Sequence, residues 1–362
     1  MSQQMFPCGQ CGAKLEYAPG TDVLKCPYCG AENVIPSADG DIHELDYVGF
    51  LRNAGASEEV VERITVKCTA CGAESTQKPN VTADRCPFCG ADIVATASSS
   101  KQIKPKALLP FAITREAARD LFRKWIVSLW FAPNALKRLA RQESPIDGMY
   151  TPHWTYDCDT TSQYTGLRGD YYWVTETYTT TENGRSVTRT RQVRKVRWTP
   201  VSGVVQNSFD DVLVVASHSL PRKYAEALEP WDLDKLCPYQ DEFLSGFRAE
   251  SYQVDLEQGF ERAKEIMAST IHATICRDIG GDLQQVSSVH TQYADITFKH
   301  ILLPVWISAY RYGEKVYRFL VNARTGEVQG ERPWSWVKIA LAILAALPFI
   351  AAIAYYIAES QS

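Results

Sequence analysis

The chain has 362 residues, 45% of them hydrophobic and 22% charged, with a formal net charge of −4, a pI near 5.9 and 11 cysteines. This length and apolar fraction exclude a wholly disordered or collagen-like chain and allow two or three domains. The acidic balance argues against bulk coating of nucleic acid, which draws on a large positive excess to displace counterions from phosphates.

Eight of the 11 cysteines fall in the first 90 residues, at positions 8, 11, 26, 29, 68, 71, 86 and 89. They spell C-x2-C-x14-C-x2-C twice: Cys8-Gly-Gln-Cys11-Gly and Cys26-Pro-Tyr-Cys29-Gly, then Cys68-Thr-Ala-Cys71-Gly and Cys86-Pro-Phe-Cys89-Gly. Two thiolates separated by two residues in a tight turn can face one Zn2+, and a second such pair completes a closed tetrahedron of sulfurs. The repeat resembles zinc ribbons of the transcription-factor-IIB type, at 1–40 and 66–97, holding two structural Zn2+ through Cys8, Cys11, Cys26 and Cys29 and through Cys68, Cys71, Cys86 and Cys89. A closed four-sulfur site leaves no position for a reactive water, and its thiolates need a reducing compartment. The start, Met1-Ser-Gln-Gln-Met-Phe-Pro, does not resemble a signal peptide, in keeping with a cytoplasmic location. Residues 1–100 hold 7 Lys/Arg against 13 Asp/Glu. Two Zn(Cys)4 centres would take this head to about −10, a surface better suited to protein partners than to phosphate. Between the repeats, residues 41–65 read as a connecting helix, amphipathic from Asp41 to Leu51, that packs the two ribbons together.

A polar joint, Ala95-Thr-Ala-Ser-Ser-Ser-Lys-Gln, marks a domain boundary, beyond which 101–330 read as an α+β domain. Its first part is basic, with ten Lys/Arg in 101–145 against Glu116, Asp120 and Glu143. A basic helix over 114–142 is capped by Thr114 and interrupted at Pro133, with Phe122, Trp125, Ile126, Leu129 and Trp130 on one apolar stripe. The leading reading packs that stripe in a core and solvates the basic face; contact of the basic face with anionic lipid, or with nucleic acid, stands behind it.

Residues 150–216 are rich in Thr, Tyr, Val and Trp and predict antiparallel strands, with a hairpin turn at Asn183-Gly184. With those two residues in the turn, Glu182 faces Arg185, Glu176 faces Arg191 and Asp170 faces Arg197. Arg189, Arg194 and Lys195 then face Tyr178, Trp173 and Tyr172, so the six bases of the second strand find partners within the hairpin. A long helix is predicted over 255–279, followed by strands at 294–298, 300–312 and 315–321 and a turn at Arg324-Thr-Gly-Glu.

Residues 339–358 form twenty positions without a charge, about 30 Å of helix and enough to span a bilayer. Trp334 and Trp336 precede this run, Tyr355 and Tyr356 close it, and Glu359-Ser-Gln-Ser follows. Arg332 and Lys338 on its N-terminal side place the bulk of the chain in the cytoplasm by the positive-inside rule. The expectation is a single-pass protein of the inner membrane.

The chemistry of catalysis is missing from the sequence. GxxxxGK[ST], HExxH, GxSxG and GxGxxG do not occur, and the six histidines are scattered. His272 and Cys276 share a helix face but make no metal site by themselves; Cys158, Cys237 and Cys276 read as reduced core thiols. Asp157, Asp159, Asp210 and Asp211 could gather, yet at strand ends they read as turn and solubility residues. No catalytic or cofactor-binding residue is assigned, and the expectation is that the protein is not an enzyme.

The two cysteine repeats, together with Gly148-Met-Tyr-Thr-Pro-His-Trp-Thr-Tyr-Asp, Phe243-Leu-Ser-Gly-Phe-Arg-Ala-Glu-Ser-Tyr, Leu303-Pro-Val-Trp and Val321-Asn-Ala-Arg-Thr-Gly-Glu before the apolar run, resemble a bacterial family of double zinc-ribbon membrane proteins. The resemblance spans nearly the whole chain. Members are often labelled primosomal protein N′-like helicases, a label that fits shared cysteine knuckles better than this chain, which lacks the helicase motor. Relatives are associated with PspA-type and flotillin-like (SPFH) membrane scaffolds, which implies an adaptor or scaffold that recruits protein partners at the inner membrane, in envelope-stress response. The alternative is a nucleic-acid-binding zinc-ribbon protein associated with replication.

Overall fold

The computed structural model describes residues 6–36, 40–53, 60–69, 73–76, 83–86, 88, 91–94, 97–134, 146–182, 185–312 and 315–360. The N-terminal strands are β1 (Glu16–Tyr17), β2 (Val23–Lys25), β3 (Glu32–Val34), β4 (Leu45–Asp46), β5 (Val60–Lys67), β6 (Glu74–Thr76), β7 (Ala83–Arg85), β8 (Asp92–Val94), β9 (Ala97–Ile103) and β10 (Ala107–Leu108). They are followed by β11 (Asp147–Glu182), β12 (Arg185–Val215), β13 (Cys237–Pro238), β14 (Arg248–Ala249), β15 (Leu283–Tyr312), β16 (Lys315–Asn322) and β17 (Val328–Gly330).

The spine of the α+β fold is the antiparallel trio β12–β11–β15, with strands of 31, 36 and 30 residues. Strands of globular proteins usually run to ten residues or fewer. Three separate strands were expected between 294 and 321; β15 instead runs unbroken from Leu283 through the first two. The break expected at Lys299 is absent, since Lys299 pairs with Thr155 in regular register, and bulges fall earlier in the strand, letting it turn without leaving the ladder. One falls between the pairs Asp157–Thr297 and Asp159–Ala294 of β11 and β15, and Asp295 there takes φ of 49°. The pairing of β11 with β15 ends at Gly169 and Leu283, whereas β11 and β12 continue alone to Glu182 and Arg185.

That two-stranded extension has the register dictated by a turn at 183–184, which itself lies outside the described residues. Glu182 pairs with Arg185, Glu176 with Arg191 and Asp170 with Arg197. Glu176 takes two bases, Lys195 at 2.9 Å and Arg191 at 3.4 Å. The guanidinium–ring contacts differ from those expected directly across the ladder. Arg194 lies over Tyr171, Arg197 over Tyr172 and Arg191 over Tyr178, at 4.1, 5.2 and 5.5 Å from the ring centres. Each pair is offset by two residues from its direct partner, because long side chains reach diagonal neighbours on the same face.

The long helix is Leu256–Ile279, begun by Asp255, whose carboxylate accepts from the Gln258 amide at 2.8 Å. It buries Leu256, Phe260, Ala263, Met267, Ile271, Ile275 and Ile279. These meet Trp154, Tyr156, Cys158 and Tyr164, the residues that alternation in β11 presents to one side of the sheet. Gly259 lets the helix come close: a Cβ there would meet Trp154 Cδ1 at 2.8 Å and collide with Tyr156 Oη.

Three sequence expectations are revised. Within the expected 41–65 connecting helix only Tyr47–Asn53 is helical among the described residues, and Val60–Lys67 is strand. The short helix packs against the long helix and the sheet, Tyr47 on Phe260 and Phe50 on Phe298, so aromatic burial on the large core has captured it. The polar joint is partly strand, β9 pairing antiparallel with β5. The basic helix is Arg115–Ser128, with Ala117 N–H donating to Thr114 Oγ1 at 3.3 Å; 135–142 of its expected span lie outside the described residues. Phe122, Ile126 and Leu129 are buried as the stripe requires, but Trp130 is 78% exposed. The backbone turns extended at Leu129, which takes Trp130 off the helical stripe. The C-terminal helix, Trp336–Ser360, contains the apolar run; its segment Trp336–Ala354 has no buried part and is long and apolar enough to cross a membrane.

Candidate metal centre

The first cysteine unit is three short strands in the order β1–β2–β3, with its thiols on the loops before β1 and β3. Each loop closes through the same two backbone bonds. Cys8 N–H donates to Ala13 O at 2.7 Å and Gly12 N–H to Cys8 O at 2.9 Å; Cys26 N–H donates to Ala31 O at 2.8 Å and Gly30 N–H to Cys26 O at 3.1 Å. Gly12 and Gly30 sit at φ of 73° and 75°, the left-handed region that such a turn needs and that glycine enters at little cost.

The loops bring Cys8, Cys11, Cys26 and Cys29 together, with all four sulfurs within 4.8 Å of one another. Cys8 and Cys29 sulfurs are 3.5 Å apart, as are those of Cys11 and Cys26. Backbone amides prepare the first thiol of each loop: those of Cys11 and Gln10 hold Cys8 below the ordinary thiol range, and those of Cys29 and Tyr28 pull Cys26 down to about 6. Despite the Ala31 amide at its sulfur, Cys29 is pushed up to about 12 by hydrogen bonding with Cys8 and by burial. The first thiol of each loop is thus the more acidic, and a closed set of four soft sulfur donors fits zinc.

The second cysteine unit repeats the first of these bonds in each loop, Cys68 N–H donating to Ala73 O and Cys86 N–H to Ala91 O, both at 2.8 Å. Cys68 and Cys86 are buried; Cys71 and Cys89 lie outside the described residues.

Both units are built into the large sheet, on opposite faces. Leu15, Tyr17, Leu24, Cys8 and Cys26 share a core with Phe111, Tyr150, Trp306 and Phe243. Tyr17 N–H donates to Ser245 O, Ser245 Oγ to Leu15 O and Tyr17 Oη to Thr21 O and Phe111 O, at 2.9, 2.6, 2.8 and 3.2 Å. Cys68, Cys86 and Phe88 of the second unit share a core with Met149, Val305, Ile307 and Leu320, the residues that point to the other face.

A second cluster forms where sequence reading assigned turn aspartates. At the bulge in the ladder of β11 with β12, Asp157 lies between the paired positions, and Asp211 opposite it has φ of 52°. Asp157, Asp210 and Glu44 bring their carboxylate oxygens within 4.8 Å of one another. Lys299, 7% exposed, pairs with Glu44 at 2.7 Å and Asp211 at 2.8 Å. Burial and the neighbouring Glu44 push Asp157 up to about 7. Glu44, despite its burial, is held down to about 2 by hydrogen bonds from Asp157, Lys299 and Thr297. The cluster is an ion-pair clasp that fastens the segment between the cysteine units, where β4 pairs with β15, to the sheet. Glu44 was missed because nothing local distinguishes it; its partners lie more than a hundred residues away.

The other singled-out residues stay apart. Cys158 contacts Met267 Sδ at 3.6 Å, Cys237 donates to Leu108 O at 3.4 Å, and Cys276 and His272 lie 3.6 Å apart on the helix surface. His153 is buried, and desolvation lowers it to about 4.

The fold and the site define a sheet-rich α+β protein with a four-cysteine cluster near its N-terminus and one apolar C-terminal helix. No family model matches the chain. It is similar to a curated protein of Bacillus subtilis (strain 168) that carries the name "Uncharacterized protein YdjG": 29% identical over 252 residues, which cover 69% of this chain and 70% of that relative.

Proposed function

We propose that this chain is a membrane-anchored zinc-ribbon adaptor that recruits protein partners at the cytoplasmic face of the inner membrane, with a role in envelope-stress response. Two structural zinc ions hold the two cysteine units, Cys8, Cys11, Cys26 and Cys29 binding one and Cys68, Cys71, Cys86 and Cys89 the other. The observation that carries the reading is the polarity of the sheet. The bare apolar helix Trp336–Ser360 follows β17, which joins the sheet through β16 and β15 at the Asp147 end of β11, and the β11–β12 hairpin leaves the sheet at the other end. Trp173, Trp198 and Tyr178 stand exposed on that hairpin, 65%, 43% and 39% accessible, as aromatic anchors for a partner protein. Arg191, Arg194, Lys195 and Arg197 are engaged by Glu176 and by tyrosine rings, which disfavours the nucleic-acid reading. PspA-type or SPFH-type scaffolds are the partner class implied by the resemblance. The reading assigns no catalytic residue.

Affinity capture of the full chain from detergent-solubilised, nuclease-treated membranes tests it. A discrete set of co-purifying proteins is expected. Recovery of no specific protein, or salt-sensitive retention of DNA or RNA by the purified protein, overturns it.

A further inference from the structure

The residues that leave the sheet toward the C-terminal helix are tied to the end of the basic helix. Ser335 N–H donates to Phe131 O at 2.8 Å, and Lys338 Nζ donates to Ala132 O at 2.8 Å and to Trp130 O at 3.3 Å. The rings of Phe131 and Trp334 lie 6.3 Å apart. These bonds hold the backbone at Trp130 beside the start of the apolar helix. There the described surface is apolar and aromatic: Trp130 and Trp336 are each 78% exposed, Val127 61% and Trp334 50%. The two segments carry Arg123, Lys124, Arg332 and Lys338 against Asp120 and Glu331, with Arg123 paired to Asp120 at 3.3 Å and Arg332 lying over the Trp334 ring.

We propose that the end of the basic helix, at Val127 and Trp130, is a second membrane contact, which seats the folded domain on the lipid surface beside the span. The proposal rests on the reading of Trp336–Ser360 as membrane-spanning. An indole places its ring at the level of the headgroups and glycerol, where an apolar body and a polar N–H are both accommodated. A side chain held at the mouth of a span has that layer as its surroundings. The excess of bases over acids favours anionic headgroups. With two points of contact, the span and Trp130, the domain cannot swivel freely about one helix, and the hairpin at the far end keeps a defined direction from the membrane.

The test is photo-crosslinking of the full chain in nanodiscs of phosphatidylcholine and phosphatidylglycerol. A benzophenone side chain is introduced singly as Trp130→p-benzoylphenylalanine, as Leu344→p-benzoylphenylalanine within the span, and as Trp173→p-benzoylphenylalanine on the hairpin, about 80 Å along β11 from its start. The proposal predicts lipid adducts at position 130 comparable with those at 344 and loss of lipid adducts at 173. Adducts at 344 without lipid adducts at 130 overturn the proposal and leave the span intact. Absence of lipid adducts at 344 overturns the spanning reading and the proposal with it.

Discussion

Met149 and Tyr150 are consecutive in β11 and bury against different cysteine units. Tyr150 shares a core with Cys8 and Cys26, Met149 with Cys68 and Cys86. Alternation along a strand makes this unavoidable once a unit sits on each face. The units therefore grip one stretch of sheet from both sides, where β11, β15 and β16 lie together.

Metal loss should accordingly loosen more than a loop. The purified chain is expected to hold two zinc ions, and Cys26→Ser to hold one. Apparent metal-binding energies of structural zinc sites, ~10 kcal/mol or more, exceed the stability margin of most domains. Cys26→Ser or chelation should thus expose the 239–250 connection, where Ser245 holds Leu15 and Tyr17, to protease. Metal analysis and limited proteolysis check this; one zinc in the wild-type chain, or unchanged cleavage on chelation, would speak against it.

Gly259→Ala should destabilise the protein by up to about 2 kcal/mol. Alanine improves helix propensity by ~1 kcal/mol, but overpacking against Trp154 and Tyr156 costs ~1–3 kcal/mol, and the aromatic pair is itself pinned. Tyr156 Oη donates to Leu256 O at 2.7 Å and Trp154 Nε1 to Val254 O at 2.9 Å. Gly9→Ala, with nothing within 4 Å of the new methyl, serves as the control and should shift thermal unfolding little.

The clasp at Asp157 gives stability a pH dependence of known sign. Its carboxyl, ordinarily near 3.8, is raised to about 7 in the fold, so its stabilising contribution is complete below the ordinary value and drains away as pH rises toward 7. Glu250 behaves likewise: burial pushes it up to about 7 despite hydrogen bonds with Ser219 and Ser217. Asp157→Asn, which keeps an acceptor for the Asp211 amide, should flatten the slope between pH 5 and 8 and leave the protein more stable than wild type at pH 8, by about 1 kcal/mol after solvent screening. Denaturant unfolding across that range measures it; an unaltered slope in Asp157→Asn,Glu250→Gln would count against the clasp.

What could be read from the sequence was local. The cysteine spacing located the four converging thiols of the first unit, Asp255 marked the start of the long helix, and Asn183-Gly184 set the hairpin register. Unread features depend on contacts between distant segments. Nothing near Ala97–Ile103 says that it will pair with Val60–Lys67, and a serine-rich stretch reads as a joint until a partner strand is supplied. The length of β15 was hidden because its first part, Leu283–Tyr293, is polar and becomes strand only through its pairing with β11. Trp130 followed the helical stripe in sequence, but the helix ends before it.

The most direct test of the adaptor reading is photo-crosslinking in intact cells with Trp173→p-benzoylphenylalanine on the projecting hairpin, followed by nuclease treatment and mass spectrometry of the adducts. The account predicts discrete, nuclease-resistant adducts to one or a few proteins. Nuclease-sensitive adducts, or none above an uncrosslinked control, would contradict it.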